Sequence, residues 1–291
     1  MKVAIHGKVF PEDTIPVIEH TIKLLSERNF EFFLSSSFYD QVSNNGINLK
    51  KCGIYGPEAS FEDYDLVISI GGDGTLLETI THIGKAETPV LGVNTGRLGF
   101  LATTPEEKIE EALNNIEQGN FEIDSRMLVR VESPENIFEQ LNFGLNECAV
   151  LKQDTSSMIT VHTYINGEFL NSYWADGLII SSPTGSTGYS LSCGGPVVIP
   201  HSNNMIITPV SPHNLNVRPL VVSDDCTITL DVESRSNYFM VSLDSRSKII
   251  KSGMQLKVSK ERFSARLIKF EGYSFVNTLR KKLHWGLDVR N

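Results

Sequence analysis

The sequence predicts an α/β protein with a Rossmann-like, doubly wound parallel sheet, followed by a β-rich C-terminal domain. Over the first 120 residues, short apolar runs alternate with segments whose apolar residues recur at helical spacing. From Phe121 to about Phe270, β-branched and aromatic residues alternate with polar ones in short runs, which is typical of strands. We therefore expect residues 1–120 and 271–291 to form the α/β domain and residues 121–270 the β-rich domain.

The N-terminal part begins with a strand at Lys2–His6, and a helix follows whose apolar stripe starts at Ile15. Further strands are predicted at residues 30–34, 65–70 and 89–93. Two helix starts are marked by local signals. Thr75 and Glu78 have the spacing of a capping box, and Thr104-Pro105 places a proline in a first helical turn.

The β-rich part contains six clear strand runs and one hairpin signal. Asn166-Gly167 lies between two of the runs, which is the strongest short-range signal for a tight hairpin turn. The final segment, residues 274–291, is basic and amphipathic, and we expect it to pack back onto the first domain. The runs are residues 127–131, 158–164, 177–181, 227–232, 239–243 and 255–258.

Composition excludes several classes of protein. The net charge of -9 argues against a general nucleic-acid binder, which would carry a basic face. No apolar run approaches the roughly 20 residues that span a membrane, and the polar N-terminus does not resemble a signal peptide. The 4 cysteines lie far apart without a paired C-x-x-C motif. We therefore expect a cytoplasmic protein with free thiols, not associated with a membrane.

The most informative motif is Gly71-Gly72-Asp73-Gly74-Thr75, directly after an apolar strand. A glycine turn between a strand and a helix N-terminus is suited to phosphate binding, because free N–H groups and the helix dipole point at the ligand. Asp73 in the same turn can hold a metal ion or accept a proton from an attacking hydroxyl. The structural alternative is a tight turn in which Asp73 acts only as a cap.

Two other segments of the chain carry polar residues in suggestive places. Asn94–Phe100 is a second glycine-bearing loop after a strand, and its Arg97 is a candidate for donor phosphates or else a surface arginine. Asn146-Glu147 interrupts a strand-like stretch although both are poor strand formers. This pair can bind ribose hydroxyls or a base edge, and the alternative is a solvent-facing edge pair.

The stretch that is richest in hydroxyl-bearing residues and glycines follows Asp176 and runs from Ser182 to Pro196. Its hydroxyls and glycines behind a strand suit a nucleotide, and Tyr189 is placed to stack on a base. A Ser/Gly-rich flexible loop is the alternative. Arg246, after a later strand, is a further candidate for phosphate or adenine, whereas His213 is interpreted as structural.

Taken together and in this order, these segments resemble the NAD kinase family, and the resemblance extends from Gly71 to the tail Lys282-Leu283-His284-Trp285. It implies transfer of a phosphoryl group from ATP, or from polyphosphate in some members, to the 2′-hydroxyl of the adenosine ribose of NAD, giving NADP. It implies that Asp73 accepts the proton, that Mg²⁺ bridges phosphates with few protein ligands, and that the protein is a homodimer or homotetramer.

The resemblance also assigns binding residues. The donor phosphates are instead predicted from the residues themselves, at the glycine turn and Arg97, that is Gly71, Gly72, Gly74, Thr75 and Arg97. NAD is assigned to Asp73, Gly74, Asn146, Glu147, Asp176, Thr187, Gly188, Tyr189, Ser190, Leu191, Ser192 and Arg246. Trp174 stands where some members carry a basic residue, and Arg246 where some have glutamine, so donor choice and selectivity for NADH stay open.

Two other functions remain compatible with the glycine turn alone. Diacylglycerol and sphingosine kinases share it, but they need an apolar entrance for an acyl chain. A dinucleotide-sensing protein needs no catalysis, but Asp73 within a phosphate turn disfavours pure binding.

Overall fold

The computed structural model describes residues 1–8, 12–49, 51–96, 99–132, 137–153 and 157–286. The chain divides into two compact units, Met1–Ser125 with Ala265–Asn291, and Arg126–Ser264. The boundaries differ by five or six residues from the expected 120/121 and 270/271, because the strand after Ser264 joins the N-terminal sheet.

The first segment of the chain alternates strands and helices. Its strands are β1 Lys2–Gly7, β2 Glu31–Ser35, β3 Cys52–Tyr55, β4 Leu66–Ile70, β5 Val90–Asn94, β6 Thr104–Pro105 and β7 Glu122–Arg126. Its helices are α1 Ile15–Glu27, α2 Ser36–Asn44, α3 Asp73–Ile83 and α4 Ile109–Glu117.

The second segment consists almost entirely of strands. They are β8 Val129–Glu132, β9 Phe143–Gly144, β10 Glu147–Lys152, β11 Ile159–Ile165, β12 Glu168–Ala175, β13 Gly177–Ser181, β14 Asn204–Val210, β15 Leu220–Ser223, β16 Ile228–Glu233, β17 Tyr238–Leu243, β18 Arg246–Lys251 and β19 Gln255–Lys260, with the short helix α5 Tyr189–Ser192. The chain then returns to the first unit with β20 Ala265–Lys269 and α6 Phe275–Leu283.

The N-terminal unit contains the predicted parallel sheet. Its strand order is β3-β2-β1-β4-β5-β20-β7, with β6 beside β5, and the pairs from β3 through β5 to β20 are parallel. The strands β1, β4 and β5 are almost wholly buried, so they are continuous apolar runs rather than alternating ones. Because the carboxyl ends of β4 and β5 lie side by side, the two glycine-bearing loops meet at one edge of the sheet.

The second unit contains two six-stranded antiparallel sheets, in the orders β15-β14-β13-β10-β17-β18 and β12-β11-β16-β19-β8-β9. One apolar cluster contains side chains from both sheets, including Val150 and Leu230. Asn166-Gly167 forms the predicted hairpin turn between β11 and β12, with positive φ at both residues. The predicted fold class, a parallel α/β domain plus a β-rich domain, is confirmed.

Two local predictions for the N-terminal unit are wrong. Helix α3 begins at Asp73 and not at a Thr75 cap, because the N–H of Leu76 already donates to Gly72 and the turn enters the helix directly. Thr104-Pro105 forms strand β6 beside β5, and α4 begins only at Ile109. Strand β3 was not predicted, because Cys52–Tyr55 contains a glycine and no clear alternation.

None of the helices in the described part of the chain has the length and apolarity needed to cross a membrane. Cys52, Cys148, Cys193 and Cys226 are free thiols.

Candidate functional site

The glycine turn connects the end of β4 to the start of α3. Gly71 has φ 149°, a conformation that side chains other than glycine rarely adopt, and its N–H donates to the carbonyl of Val93 on β5 at 2.9 Å. The turn is therefore anchored to the neighbouring strand, and Gly72 and Gly74 are exposed at the N-terminus of α3.

Gly72 and Gly74 have no such internal reason to be glycine. A Cβ atom added at either position would meet no other atom within 4 Å, and the φ of Gly72 is -93°. The protein's own packing therefore leaves open space at both positions. Glycine there allows a ligand to approach the backbone closely, as phosphate binding at a helix N-terminus requires.

The carboxylate of Asp73 is held by the backbone of the next loop. It accepts N–H bonds from Phe100 at 2.8 Å and from Leu101 and Ala102 at 3.0 Å each. Gly99 permits this approach, because a Cβ atom there would overlap the carboxylate. Asp73 is thus fixed in one orientation at the edge of the sheet, with its side chain 27% exposed.

Helix α6 brings a cation to the same carboxylate. The Nζ atom of Lys282 lies 3.7 Å from Oδ2 of Asp73 and 4.8 Å from the ring centroid of Phe100. The helix is capped by Ser274 and packs Phe275 near Phe100, with 6.2 Å between ring centroids. The basic tail therefore returns to the first domain, as the sequence predicted, and the structure adds that it brings a positive charge to the glycine turn.

Asn94 shapes the second loop at this edge. Its amide donates to the carbonyl of Ala102 at 3.2 Å and accepts from the N–H of Gly96 at 2.8 Å. A cavity of about 630 Å³ borders Asn94 and Gly96. Arg97, predicted to meet donor phosphates, lies outside the described residues.

In the second unit, Asn146 and Glu147 lie at the start of β10 beneath a hairpin turn. Asp244, in the turn between β17 and β18, accepts the backbone N–H groups of Leu145, Asn146 and Glu147 at 2.8, 2.8 and 3.1 Å. Burial raises the pKa of Asp244, although these N–H bonds oppose the rise. Asp244 thereby fixes the backbone that carries the Asn146-Glu147 pair.

Glu147 is a buried carboxyl with spare hydrogen-bonding capacity. Burial raises its pKa to about 8, the neighbouring Asp244 adds to the rise, and the N–H of Tyr189 opposes it. Within the described part of the chain, its buried Oε2 atom has no hydrogen-bond partner. Since an unpaired buried oxygen is costly, a ligand hydroxyl or amine is the natural partner for this atom.

The turn that precedes α5 packs directly against this pair. A Cβ atom at Gly185 would overlap the backbone of Asn146, and one at Gly188 would lie 3.3 Å from Oε2 of Glu147. The Oγ atom of Ser182 donates to the carbonyl of Leu145. The structure thus brings the predicted residues Asn146, Glu147 and Gly188 together, and the segment after Pro183 forms a 3-10 turn and the short helix α5 instead of an irregular loop.

The hydroxyls of this turn divide into two groups. Ser190 is fully buried and shares a 2.8 Å hydrogen bond with Thr208, so its Oγ atom supports the turn from within. Thr187 donates to the carbonyl of Thr184 at 3.3 Å. Tyr189 is 38% exposed and Ser192 is exposed, so these two side chains are available to a ligand. Contact of Ser190 and Leu191 with NAD stays a prediction.

Asp176 and Arg246 each have a partner within the second unit. Asp176 forms a 2.6 Å ion pair with Lys152, one strand away. Arg246 donates to the carbonyls of Leu141 and Phe143, so two of its nitrogens hold the chain's own backbone. Binding of NAD by either residue therefore stays a prediction.

Trp174 and His213 form a tilted aromatic pair near the end of β12. Their ring centroids are 4.2 Å apart, and the N–H of His213 donates to the carbonyl of Trp174 at 2.9 Å. This contact agrees with a structural interpretation of His213.

In the part of the chain that the structure describes, no group of three candidate metal-ligating side chains includes Asp73. Mg²⁺ prefers about six oxygen ligands, whereas Asp73 already accepts three N–H bonds and lies beside Lys282. In the described ranges, the one group of at least three candidate ligand side chains is His6, Glu78 and His82, which contains two imidazoles.

Comparison with known protein families shows which family the chain belongs to. Residues 54–121 match the ATP-NAD kinase N-terminal domain, and residues 145–270 match the ATP-NAD kinase C-terminal domain. The chain belongs to the NAD kinase family. The resemblance drawn from its motifs is confirmed, and membership makes the chain a phosphotransferase with an alcohol group as acceptor.

Individual NAD kinases are similar over the whole chain. The chain is 50% identical over 292 residues to an NAD kinase of Cytophaga hutchinsonii and 42% identical over 294 residues to one of Flavobacterium johnsoniae, each covering 100% of both proteins. Among solved structures, a yeast NADH kinase complexed with NADH has a TM-score of 0.85 at 22% identity, covering 99% of this chain and 89% of that one. An Archaeoglobus fulgidus NAD kinase in complex with ATP has a TM-score of 0.73 at 26% identity, covering 98% of each.

Two residues of this NAD kinase family member, one in each unit, were not predicted to lie beside the candidate residues. Lys282 belongs to the basic tail, which was predicted only to pack onto the first domain. Its pairing with Asp73 could not be predicted because the two residues are more than 200 positions apart in the chain. Asp244 belongs to none of the motifs named in the sequence analysis. The only signal for it was an aspartate at a hairpin tip, a position that aspartate commonly occupies for local reasons.

Proposed function

We propose that this protein is an NAD kinase that transfers the terminal phosphoryl group of ATP to the 2′-hydroxyl of the adenosine ribose of NAD. The observation that supports this most is Asp73, a carboxylate fixed by three backbone N–H groups in an open glycine turn. A turn that only binds phosphates gains nothing from a carboxylate, because the two charges repel. Its presence there favours catalysis over sensing.

In the proposed reaction, Asp73 accepts the proton of the 2′-hydroxyl as the oxygen attacks phosphorus. The new bond joins this oxygen to the γ-phosphorus, the bond from that phosphorus to the β–γ bridging oxygen breaks, and ADP leaves. The transition state is loose, so positioning matters more than basicity, and a rigid carboxylate suits this requirement. Backbone N–H groups at Gly72 and Gly74 would hold donor phosphates.

NAD is proposed to bind through the second unit's site. The unpaired Oε2 atom of buried Glu147 would contact a ribose hydroxyl, with the Asn146 amide beside it. The exposed ring of Tyr189 would stack on a base. The assignment of Asp176, Arg246 and the Thr187–Ser192 segment to NAD belongs to the same proposal.

We further propose that Mg²⁺ enters with ATP, bound to its phosphates, and that the protein is a cytoplasmic homodimer or homotetramer. Mg²⁺ retains several waters and needs few protein ligands in such complexes. Chromatography with light scattering would measure the oligomeric state.

The test is NADP formation from NAD, ATP and Mg²⁺, measured through an NADP-specific dehydrogenase. Asp73→Asn should lower kcat by about 10²- to 10⁴-fold, the usual contribution of a general base, while NAD binding by calorimetry stays near that of the wild type. Asp63→Asn, at an exposed aspartate outside the turn, is the matched control and should leave kcat unchanged.

The other outcomes are equally informative. The wild type could bind NAD but form no NADP with either ATP or polyphosphate. That result would show that the protein is a dinucleotide sensor and not an enzyme. Near-normal kcat in Asp73→Asn would remove the proton-acceptor role but leave the reaction in place.

A further inference from the structure

Three potential metal ligands meet at the carboxyl end of β1. His6 is on β1, whereas Glu78 and His82 are on α3. The Nε2 atoms of both histidines lie 3.7 Å from the same Oε1 atom of Glu78, and each of the three residues offers a ligand atom within 4.8 Å of those of the other two. None of these residues belongs to the proposed substrate sites.

The fold places these side chains together for simple reasons. Glu78 and His82 are four residues apart, so they share one face of α3. His6 pairs in register with Ser69 on β4, the strand that leads into α3. The cluster therefore lies on a rigid strand and a rigid helix, as a preorganised metal site requires.

His6 is the side chain in the cluster that most needs a partner. It is 5% exposed, and among the described residues neither of its ring nitrogens has a hydrogen-bond partner. Such unpaired buried groups are uncommon in native proteins. Metal binding would give a ring nitrogen of His6 the partner that it lacks.

We propose that His6, Glu78 and His82 bind a divalent transition-metal ion of the zinc type, through two Nε2 atoms and the Oε1 atom. Two imidazoles and one carboxylate form a typical set for zinc, whereas magnesium and calcium prefer oxygen ligands. Tetrahedral zinc needs neighbouring ligand atoms about 3.4 Å apart, which the two 3.7 Å separations nearly satisfy. Three protein ligands leave the fourth position for water.

The charged groups around the cluster are compatible with a cation. Lys8 pairs with the other carboxylate oxygen of Glu78, Oε2, and its side chain is 46% exposed, so it can swing into solvent when a metal binds. The side chain of His82 is 41% exposed, which opens a path for the ion. The metal would tie the end of β1 to α3, the helix that begins with Asp73.

The experiment titrates metal-free full-length protein with Zn²⁺ against a chromophoric chelator, with thermal unfolding of the same samples. We expect one equivalent to bind and the unfolding temperature to rise, because the ion binds only the folded state. His82→Ala and Glu78→Gln should each weaken binding by more than about tenfold. His20→Ala removes an exposed histidine on α1 and should bind like the wild type.

Substitution with Co²⁺ separates this site from the free cysteines. Visible bands of a tetrahedral nitrogen and oxygen site, lost in His82→Ala, would support the proposal. Thiolate charge-transfer bands, the absence of saturable binding, or equal affinity in His82→Ala and His20→Ala would each overturn it. His82 is partly exposed, so His82→Ala should still fold, which circular dichroism of the metal-free protein would verify.

Discussion

Asp73 and Glu147 are both carboxylates beside a glycine-bearing turn, but they have opposite surroundings. Asp73 is partly exposed, accepts three backbone N–H bonds and lies 3.7 Å from Lys282. Glu147 is buried, lies near a second carboxylate, and has an oxygen with no partner in the described structure. One is saturated with donors and fixed, whereas the other is short of donors.

This difference suggests different tasks. A carboxylate held rigidly at an open helix N-terminus is suited to chemistry in which position decides the rate. A buried acid with a raised pKa and an unpaired oxygen is suited to binding, because a ligand can supply the missing hydrogen bond. The following predictions test whether the two carboxylates differ in this way.

The largest effect is expected where the position of Asp73 is disturbed without changing its chemistry. Gly99→Ala places a methyl group against the Asp73 carboxylate and should lower kcat about a thousand-fold, within the range for losing a general base. Gly96→Ala is the matched control, since its Cβ atom would meet nothing within 4 Å. Equal kcat values for the two variants would show that the orientation of Asp73 is unimportant.

An intermediate effect is expected from the titration of Glu147. Its pKa is raised from 4.5 to about 8, so the folded state binds a proton that the unfolded state has released. The free energy of unfolding should therefore fall as the pH rises from about 4.5 to 8 and level off above that. Glu147→Gln should remove this dependence and be more stable than the wild type above pH 8, by about 1–3 kcal/mol.

Urea unfolding of both proteins at several pH values measures how the free energy of unfolding depends on pH. Because the Glu147 carboxyl is proposed to contact a ribose hydroxyl of NAD, Glu147→Gln should also have a raised KM for NAD with a smaller change in kcat. A pH dependence identical to that of the wild type would place the carboxyl in a more polar environment than the structure indicates.

The smallest effect is expected at Lys282. Its pair with Asp73 is partly exposed, so Lys282→Met should cost less than about 1 kcal/mol of stability. If the ammonium group also contacts the donor phosphates, Lys282→Met should raise KM for ATP several-fold. The KM of this variant should also depend less on salt concentration than that of the wild type. Lys281→Met removes the same charge at the neighbouring position and is the control. An equal rise in KM for ATP in both variants would show that the effect comes from net charge and not from the position of Lys282.

Much of the architecture followed from pattern alone. Buried strands such as β1, β4 and β5 are continuous apolar runs, and Asn166-Gly167 specifies its hairpin through backbone preference. The start of α3 could not be predicted correctly, because Thr75 and Glu78 match a capping box locally. In the fold, however, the helix begins at Asp73 and Glu78 faces His6.

The sequence by itself determined the fold class and the family, and it predicted Asp73, Asn146 and Glu147 as candidate site residues, because periodicity and motif spacing are local properties of a chain. The tertiary structure alone decided which groups surround them: the N–H donors from residues 100–102, Lys282 from the returning helix, and Asp244 beneath β10. It likewise brought His6 to Glu78 and His82. These contacts join residues far apart in the chain, and their hydrogen bonds and burial exist only once the sheets are assembled.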